Sequence, residues 1–340
     1  MTYRVGIVGA GFGEKTHLPS FVAHPDFEPV AIASPTSAAK IAKARNLAGF
    51  STLKEMLAGE QLDVVSIASP PFTHHEDVLL ALEAGKHVIC EKPFTLNVGQ
   101  AEELVAAQKR AGTACAVMHE FRWVPQRQAL KELIANGHLA PMREIEITQL
   151  AGFLRADATR RGNWWFNKEQ GGGLAGALLS HLIDTATWLA GRYPVSSTGM
   201  LRNANPARHD DEHQFTSTVD DGAFAVIDYG DGLIARVSAD ATVAVESVTI
   251  AAHAENRTAV SSGPSMVEMR LFAVDADETS ELDCAPMKYA KFASVNGNVP
   301  LVLELLDEFV KQIKTGKSQI PTFEDALHTQ RVLESIGYSA

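Results

Sequence analysis

The chain has 340 residues, 46% of them hydrophobic, enough to fill the cores of two domains of common size without disulfides or a structural metal. A formal charge of −11 with no run of Lys and Arg argues against nucleic acid as a partner, since such binders present basic surface to displace phosphate counterions. Cys90, Cys115 and Cys284 are widely spaced, odd in number and form no C-x-x-C pair, so reduced packing thiols are expected.

The first strand pattern begins at about Tyr3, leaving no room for a leader, and no apolar run reaches about 18 residues. A cytoplasmic protein with no membrane partner is expected. Up to about residue 120, the β-rich runs "YRVGIVGA", "PVAIAS", "VVSIAS", "HVICEK" and "TACAVM" alternate with helical patterns such as "SAAKIAKARNL" and "HHEDVLLALEAG". That alternation predicts an α/β, doubly wound parallel sheet with helices on both faces, over residues 1–122.

After "RWVPQRQALKELIANGHL" the texture changes to alternating stretches, "REIEITQL", "AFAVIDYGDGLIARVSAD" and "SVTIAAHAE", linked by polar turns. A second, α+β domain with a large, mostly antiparallel open sheet is predicted over 123–340. Its end, about 300–340, reads as two helices with apolar spacing of three and four.

The turn after the first strand, "GIVGAGFGEKTHLPSF", is glycine-rich. A dinucleotide needs backbone N–H groups at a helix N-terminus for its pyrophosphate, and glycines where a side chain would block the approach. Gly9 and Gly11 stand at the first two positions of G-x-G-x-x-G, Phe12 and Gly13 lie in the same turn, and Glu14 takes the place of the third glycine. Gly13 can serve in its stead if the turn is displaced by one residue. At the end of the second strand, where an NAD enzyme carries Asp or Glu for the ribose hydroxyls, stand Ser34, Thr36, Ser37 and Lys40. Hydroxyls and an ammonium, with no carboxylate to repel a 2′-phosphate, favour NADP(H) over NAD(H); an ordinary helix N-cap is the equal alternative.

The segment "VVSIASPPFTHHEDVLLALEAGKHVICEKPF" resembles the Gfo/Idh/MocA oxidoreductases in three places: a T-P-x-x-x-H segment (here Ser69, Pro70 and His74), the "EAGKHV" helix end, and the triplet Glu91, Lys92, Pro93. His17, eight residues after Gly9, also matches, and "HEFRWVP", "GGG" with a later "SHLID", "VDDGAFAVIDYGDG" and the terminal helices follow in the family's order. The resemblance thus covers essentially the whole chain.

It implies a Rossmann-type nucleotide domain and hydride transfer between NAD(P) and a hydroxyl or keto carbon of a sugar, cyclitol or related polyol. Lys92 is then placed to hydrogen-bond the reacting oxygen, Glu91 to touch cofactor amide or ribose, and Ser69, Pro70 and His74 to shape the cofactor pocket. His181 takes the place of the family's histidine, able to exchange a proton near neutral pH. Many relatives carry an Asp four residues earlier; here it is Ala177. Asp184, three residues after His181, is the remaining acidic candidate: it orients the histidine, or caps or pairs at the helix surface.

His119 and Glu120 end a strand, whose C-terminus in such sheets faces the ligand crevice, and are substrate-site candidates with a solvated pair as the alternative. Arg122, Trp123 and Pro125 match the family's link between domains, which implies a hinge and a cleft wall with Arg122 beside the substrate. Trp164 and Trp165, with Arg155, Arg160 and Arg161 nearby, can meet a polyhydroxyl or acidic substrate, with core packing or a subunit contact equally open. "RHDDEH", with His209 and His213 four apart, reads as a solvated charge cluster, and no metal is expected. A homodimer or homotetramer through the sheet of the second domain is the expected assembly. Two rival readings stay open: a nicotinamide-dinucleotide-binding sensor without catalysis, which Glu14 and Ala177 favour, and an NAD-dependent redox-assisted glycosidase.

Overall fold

The computed structural model describes residues 2–266 and 268–339. The chain divides into two compact units, Met1–Glu120 with Met287–Leu327, and Phe121–Pro286 with His328–Ala340.

The first unit is a six-stranded parallel sheet: β1 (Tyr3–Val8), β2 (Phe27–Ala33), β3 (Ala48–Phe50), β4 (Val64–Ile67), β5 (His87–Cys90) and β6 (Cys115–Val117), in the order β3-β2-β1-β4-β5-β6. Helices α1 (Leu18–Ala23), α2 (Ala38–Arg45), α3 (Leu53–Gly59), α4 (Pro71–Glu83) and α5 (Val98–Ala111) make the connections. With both faces covered, β4 and most of β5 are buried without alternation, which is why these strands read as continuous apolar runs. Pro71 opens α4 at a position where no backbone donor is needed, and Asn97 caps α5 by accepting from the Gln100 N–H at 3.0 Å. β3 was not foreseen: it is a three-residue edge strand containing a glycine.

The strand order reverses between β1 and β4, the point at which a doubly wound sheet opens a crevice at its carboxyl end.

The second unit is built on an eight-stranded sheet. Its strands are β7 (Met142–Leu150), β8 (Ser196–Arg202), β11 (Gly222–Asp228), β12 (Ile234–Asp240), β13 (Ser247–Ala254), β14 (Thr258–Gly263), β15 (Arg270–Val274) and β16 (Thr279–Leu282), and the order is β16-β15-β14-β13-β7-β12-β11-β8. Among the described residues, β7 and β12 are the one parallel pair of this sheet. A separate hairpin joins β9 (Ala207–His209) to β10 (Gln214–Thr216). Alternation in "REIEITQL" turns Ile145 and Ile147 into a core shared with α6 (Pro125–Ala135), α7 (Ser180–Ala190) and the latter part of α9 (Phe323–Ser335).

The two terminal helices are α8 (Val299–Thr315) and α9. Residues 300–327, expected with the second domain, belong to the first unit instead. The broad apolar stripe of α8 packs on α1, and Asp307 of α8 takes hydrogen bonds from His24 at 3.3 Å, Lys288 at 2.7 Å and Tyr289 at 3.1 Å. Sequence pattern identified the helix but not the surface that covers its stripe. Among the described residues, no helix is long and apolar enough to cross a membrane.

Candidate functional site

β1 ends in a turn whose three glycines do different things. Gly9 has φ +102°, and a Cβ there would lie 2.3 Å from the Ala68 carbonyl oxygen after β4, so only glycine lets the two strand ends approach. Around Gly11 a Cβ would meet nothing within 4 Å, leaving the backbone open. Gly13 is buried, with its absent Cβ 3.1 Å from Ile7 Cγ2 and 3.4 Å from Ala68 Cβ. Gly13 therefore makes the close helix-to-strand contact that the third fingerprint glycine makes elsewhere, within a π turn, Gly13–His17. Glu14 is displaced to a half-buried position, its carboxylate 4.0 Å from Arg45. Phe12 packs edge-on to the His17 ring.

At the end of β2, Ser34 is buried and Thr36 and Lys40 are exposed. Ser37 occupies the N-cap of α2 but makes no side-chain capping bond; its hydroxyl lies 3.3 Å from that of Thr36. The capping explanation for these hydroxyls thus loses its hydrogen bond.

Glu91 and Lys92 follow β5, and the peptide bond from Lys92 to Pro93 is cis. Glu91 is buried rather than solvated. One carboxylate oxygen is 3.0 Å from His17 Nε2, and the other accepts the Lys92 backbone N–H at 3.1 Å. Burial pushes its pKa up, but the His17 hydrogen bond and the Lys92 charge outweigh it and hold the carboxyl below the usual range. Lys92 itself is half-buried.

Ser69 stands at the edge of this group, its hydroxyl accepting from Thr73 at 2.7 Å and donating to Asp77 at 3.2 Å, and Pro70 precedes α4. His74 sits deeper than a pocket-lining role requires. It is fully buried, with Nε2 2.9 Å from the Ser69 carbonyl and Nδ1 3.1 Å from that of Pro93. The ring lies between the chain after β4 and the chain after β5, and burial lowers its pKa against the pull of the Ser69 carbonyl and the Glu91 charge. His119 and Glu120, after β6, are both buried, not solvated.

In the second unit, the glycine-rich stretch 171–173 leads into a π turn, Ala175–Leu179, that runs into α7. His181, in the first turn of α7, is buried and stacked on Phe121 with ring centroids 3.9 Å apart. Ala177 lies half-buried in the π turn. Asp184 makes a pair, one of the two roles left open for it, though a buried one: both its oxygens accept from Arg122, from Nε at 2.8 Å and from Nη2 at 2.6 Å. Arg122 is engaged by this pairing.

Arg155 is bound to Asp157 at the surface, two residues on, and Trp165 has Arg160 5.1 Å over its ring and meets Phe166 edge-on. Trp165 packs against the core, whereas Trp164 is half-buried. "RHDDEH" is the hairpin between β9 and β10, with Asp210 accepting three backbone N–H groups. Among the described residues, no three His, Cys, Asp or Glu side chains converge to hold a metal. The 161–169 loop and that hairpin frame an open groove of about 940 Å³ lined by Asn163, Asn167, Lys168, Asp210 and Gln214 together with Phe166 and Phe215.

Sequence reasoning did not single out Ser66 or Asp220. Ser66, the one hydroxyl within the apolar run of β4, is fully buried 2.7 Å from His17 Nδ1. Asp220 is buried and accepts the Ala175 N–H at 2.6 Å where the π turn begins. Burial pushes its carboxyl up to about 6 against the backbone hydrogen bonds it accepts. A lone polar residue in an apolar strand, and the first acid of "VDDG", were the available signals.

Residues 3–119 match the oxidoreductase family model described as an NAD-binding Rossmann fold, and residues 127–260 match the GFO/IDH/MocA C-terminal domain. An uncharacterised oxidoreductase of Synechocystis sp. is 38% identical over 190 residues, which are 55% of this chain and 51% of that protein. The matched part spans only about half the length of the first curated relatives. A Bacillus subtilis protein named scyllo-inositol 2-dehydrogenase (NADP(+)) is 26% identical over 97% of this chain and 95% of its own. Among solved structures, levoglucosan dehydrogenase in complex with NADH superposes with a TM-score of 0.86 at 23% identity, covering 99% of this chain and 96% of that one, a likeness of fold. With models matched in both halves, the chain belongs to the Gfo/Idh/MocA oxidoreductase family.

Proposed function

We propose that this chain is a nicotinamide-dinucleotide-dependent dehydrogenase or reductase acting on a hydroxyl or keto carbon of a sugar, cyclitol or related polyol. The observation that carries the reading is the turn after β1: Gly9 and Gly13 are pressed against neighbouring chain while Gly11 is left open, the arrangement a pyrophosphate needs to reach backbone N–H groups. When bound, the dinucleotide supplies or accepts the hydride.

The remaining chemistry falls to the protein. The Lys92 ammonium donates to the reacting oxygen and stabilises negative charge developing on it. His181, its ring held flat against Phe121, gives or takes the hydroxyl proton. Thr36 and Ser37, with no carboxylate beside them, favour NADP(H), in keeping with the NADP(+) in the name of the Bacillus relative. Mixed amide, cationic and acidic groups along the 161–169 groove suit a neutral polyhydroxyl ligand better than an anion. The face of the eight-stranded sheet opposite α7 is the surface proposed for pairing subunits.

The test is a turnover and binding screen of NADPH and NADH against keto-sugars, aldoses and inositols. Lys92→Ala is expected to depress turnover far more than cofactor affinity, and equal turnover in that variant rejects the assignment. A tenfold preference for NADPH is expected; a strong preference for NADH overturns the reading of the β2 hydroxyls. Cofactor that co-purifies and never turns over net favours the glycosidase reading.

A further inference from the structure

Ser66, His17 and Glu91 form a continuous buried chain. Ser66 Oγ is 2.7 Å from His17 Nδ1, His17 Nε2 is 3.0 Å from Glu91 Oε1, and Glu91 Oε2 accepts the Lys92 backbone N–H at 3.1 Å. The carboxylate, held in its ionised form, only accepts, so His17 Nε2 carries a hydrogen; in the neutral ring Nδ1 then accepts the Ser66 hydroxyl. The order resembles a nucleophilic triad, but Ser66 and His17 are wholly buried, and no substrate reaches that hydroxyl. What this chain of groups does is fix a carboxylate, and through it the backbone of one residue.

We propose that His17 is a positioning residue for Lys92. Anchored to β4 through Ser66, it holds the Glu91 carboxylate in the orientation that grips the Lys92 amide and so sets where the lysine leaves the sheet. His74 lies on the other side of the same triplet, its neutral ring set between the Ser69 and Pro93 carbonyls and donating its one N–H to one of them. The β1 turn contributes as well, since His17 closes the π turn that Gly13 opens. A side chain that must meet a reacting atom to within a fraction of an ångström needs a rigid support of this kind. The inference rests on the role proposed for Lys92.

The experiment compares His17→Ala, His17→Gln and Ser66→Ala with the unaltered chain. It reads hydrogen exchange at the Lys92 amide, the thermal midpoint, and NADPH oxidation with the keto-sugar panel. In His17→Ala the Lys92 amide is expected to exchange at least about tenfold faster while the β1 and β2 amides keep their rates. Turnover is expected to fall at least about tenfold with the KM for NADPH changed less than about threefold. His17→Gln, whose amide still donates to Glu91, is expected to recover most of both losses.

Unchanged exchange at Lys92, a uniform acceleration across the unit, or no recovery in His17→Gln overturns the proposal. If His17→Ala does not fold, Ser66→Ala decides: it removes only the hydroxyl that orients the ring, and an unaltered Lys92 amide there is equally fatal. Lys92→Ala separates the two ideas, because unchanged turnover in it rejects the role of Lys92 while the exchange data still report whether His17 holds that backbone.

Discussion

Arg122 and Asp184 meet fork to fork, Nε to Oδ2 at 2.8 Å and Nη2 to Oδ1 at 2.6 Å, with side chains only 6% and 1% exposed. A bidentate pair sealed in this way is a structural clamp between the chain that opens the second unit and α7, and it leaves Asp184 no free oxygen for proton transfer. Removing one charge strands the other in a medium of low dielectric. Asp184→Asn is expected to destabilise the fold by about 3–5 kcal/mol, read as a drop in the urea midpoint. A variant that keeps its midpoint but loses turnover would give Asp184 a part in catalysis.

The glycines of the first turn are separable by experiment. Gly9→Ala, forced to φ +102° and against the Ala68 carbonyl, is expected to lose more than about 1 kcal/mol of stability. Gly11→Ala, with open space around it, should stay within about 0.5 kcal/mol of the unaltered chain yet raise the NADPH Kd about tenfold. Thermal melts and fluorescence titration distinguish the two.

Ser37 offers the cofactor test. A carboxylate there accepts ribose hydroxyls and repels a 2′-phosphate, so Ser37→Asp is expected to shift the ratio of NADPH to NADH affinity toward NADH by about tenfold or more. An unchanged ratio means that the β2 hydroxyls do not read the adenosine ribose.

Asp220 gives a pH signature. Its carboxyl is raised by burial to about 6 in the folded chain from an ordinary value of 3.8, so the folded state binds the proton more tightly than the unfolded state. The resulting stability is complete below about pH 4 and is lost as pH rises through about 6, an amplitude of roughly 3 kcal/mol. Asp220→Asn, which keeps an acceptor for the Ala175 N–H, should remove that slope. The check is the difference between the two chains in urea midpoints from pH 4 to pH 7.

Local sequence determined most of the architecture. The alternation of apolar runs with helical periods in the first 120 residues pointed to a parallel sheet, because strands covered on both faces are mostly apolar and admit a polar side chain such as Ser66 only where it finds a partner. Strict alternation in "REIEITQL" required a sheet with one core face, and the position of Gly9 and Gly11 directly after a strand marked the turn. The sequence pattern did not pick out β3, β8, β9, β10, β14, β15 or β16; β3, β8 and β16 are short, exposed or polar, and their pairing is decided by neighbours rather than by their own pattern.

Only tertiary structure decided what each polar group is for. That Gly13 takes over the packing task left by Glu14 depends on where Ile7 and Ala68 stand, and that α8 joins the first unit depends on α1 presenting a surface to cover its stripe. Asp184 lies one helical turn from His181, a spacing that left orienting the histidine and pairing elsewhere equally open, and Arg122, 62 residues earlier, is the partner that takes it. His17 and Glu91 meet across 74 residues. A buried charge or hydrogen-bonding group takes whichever partner the fold brings within about 3 Å, and spacing along the chain carries no record of contacts made over such separations.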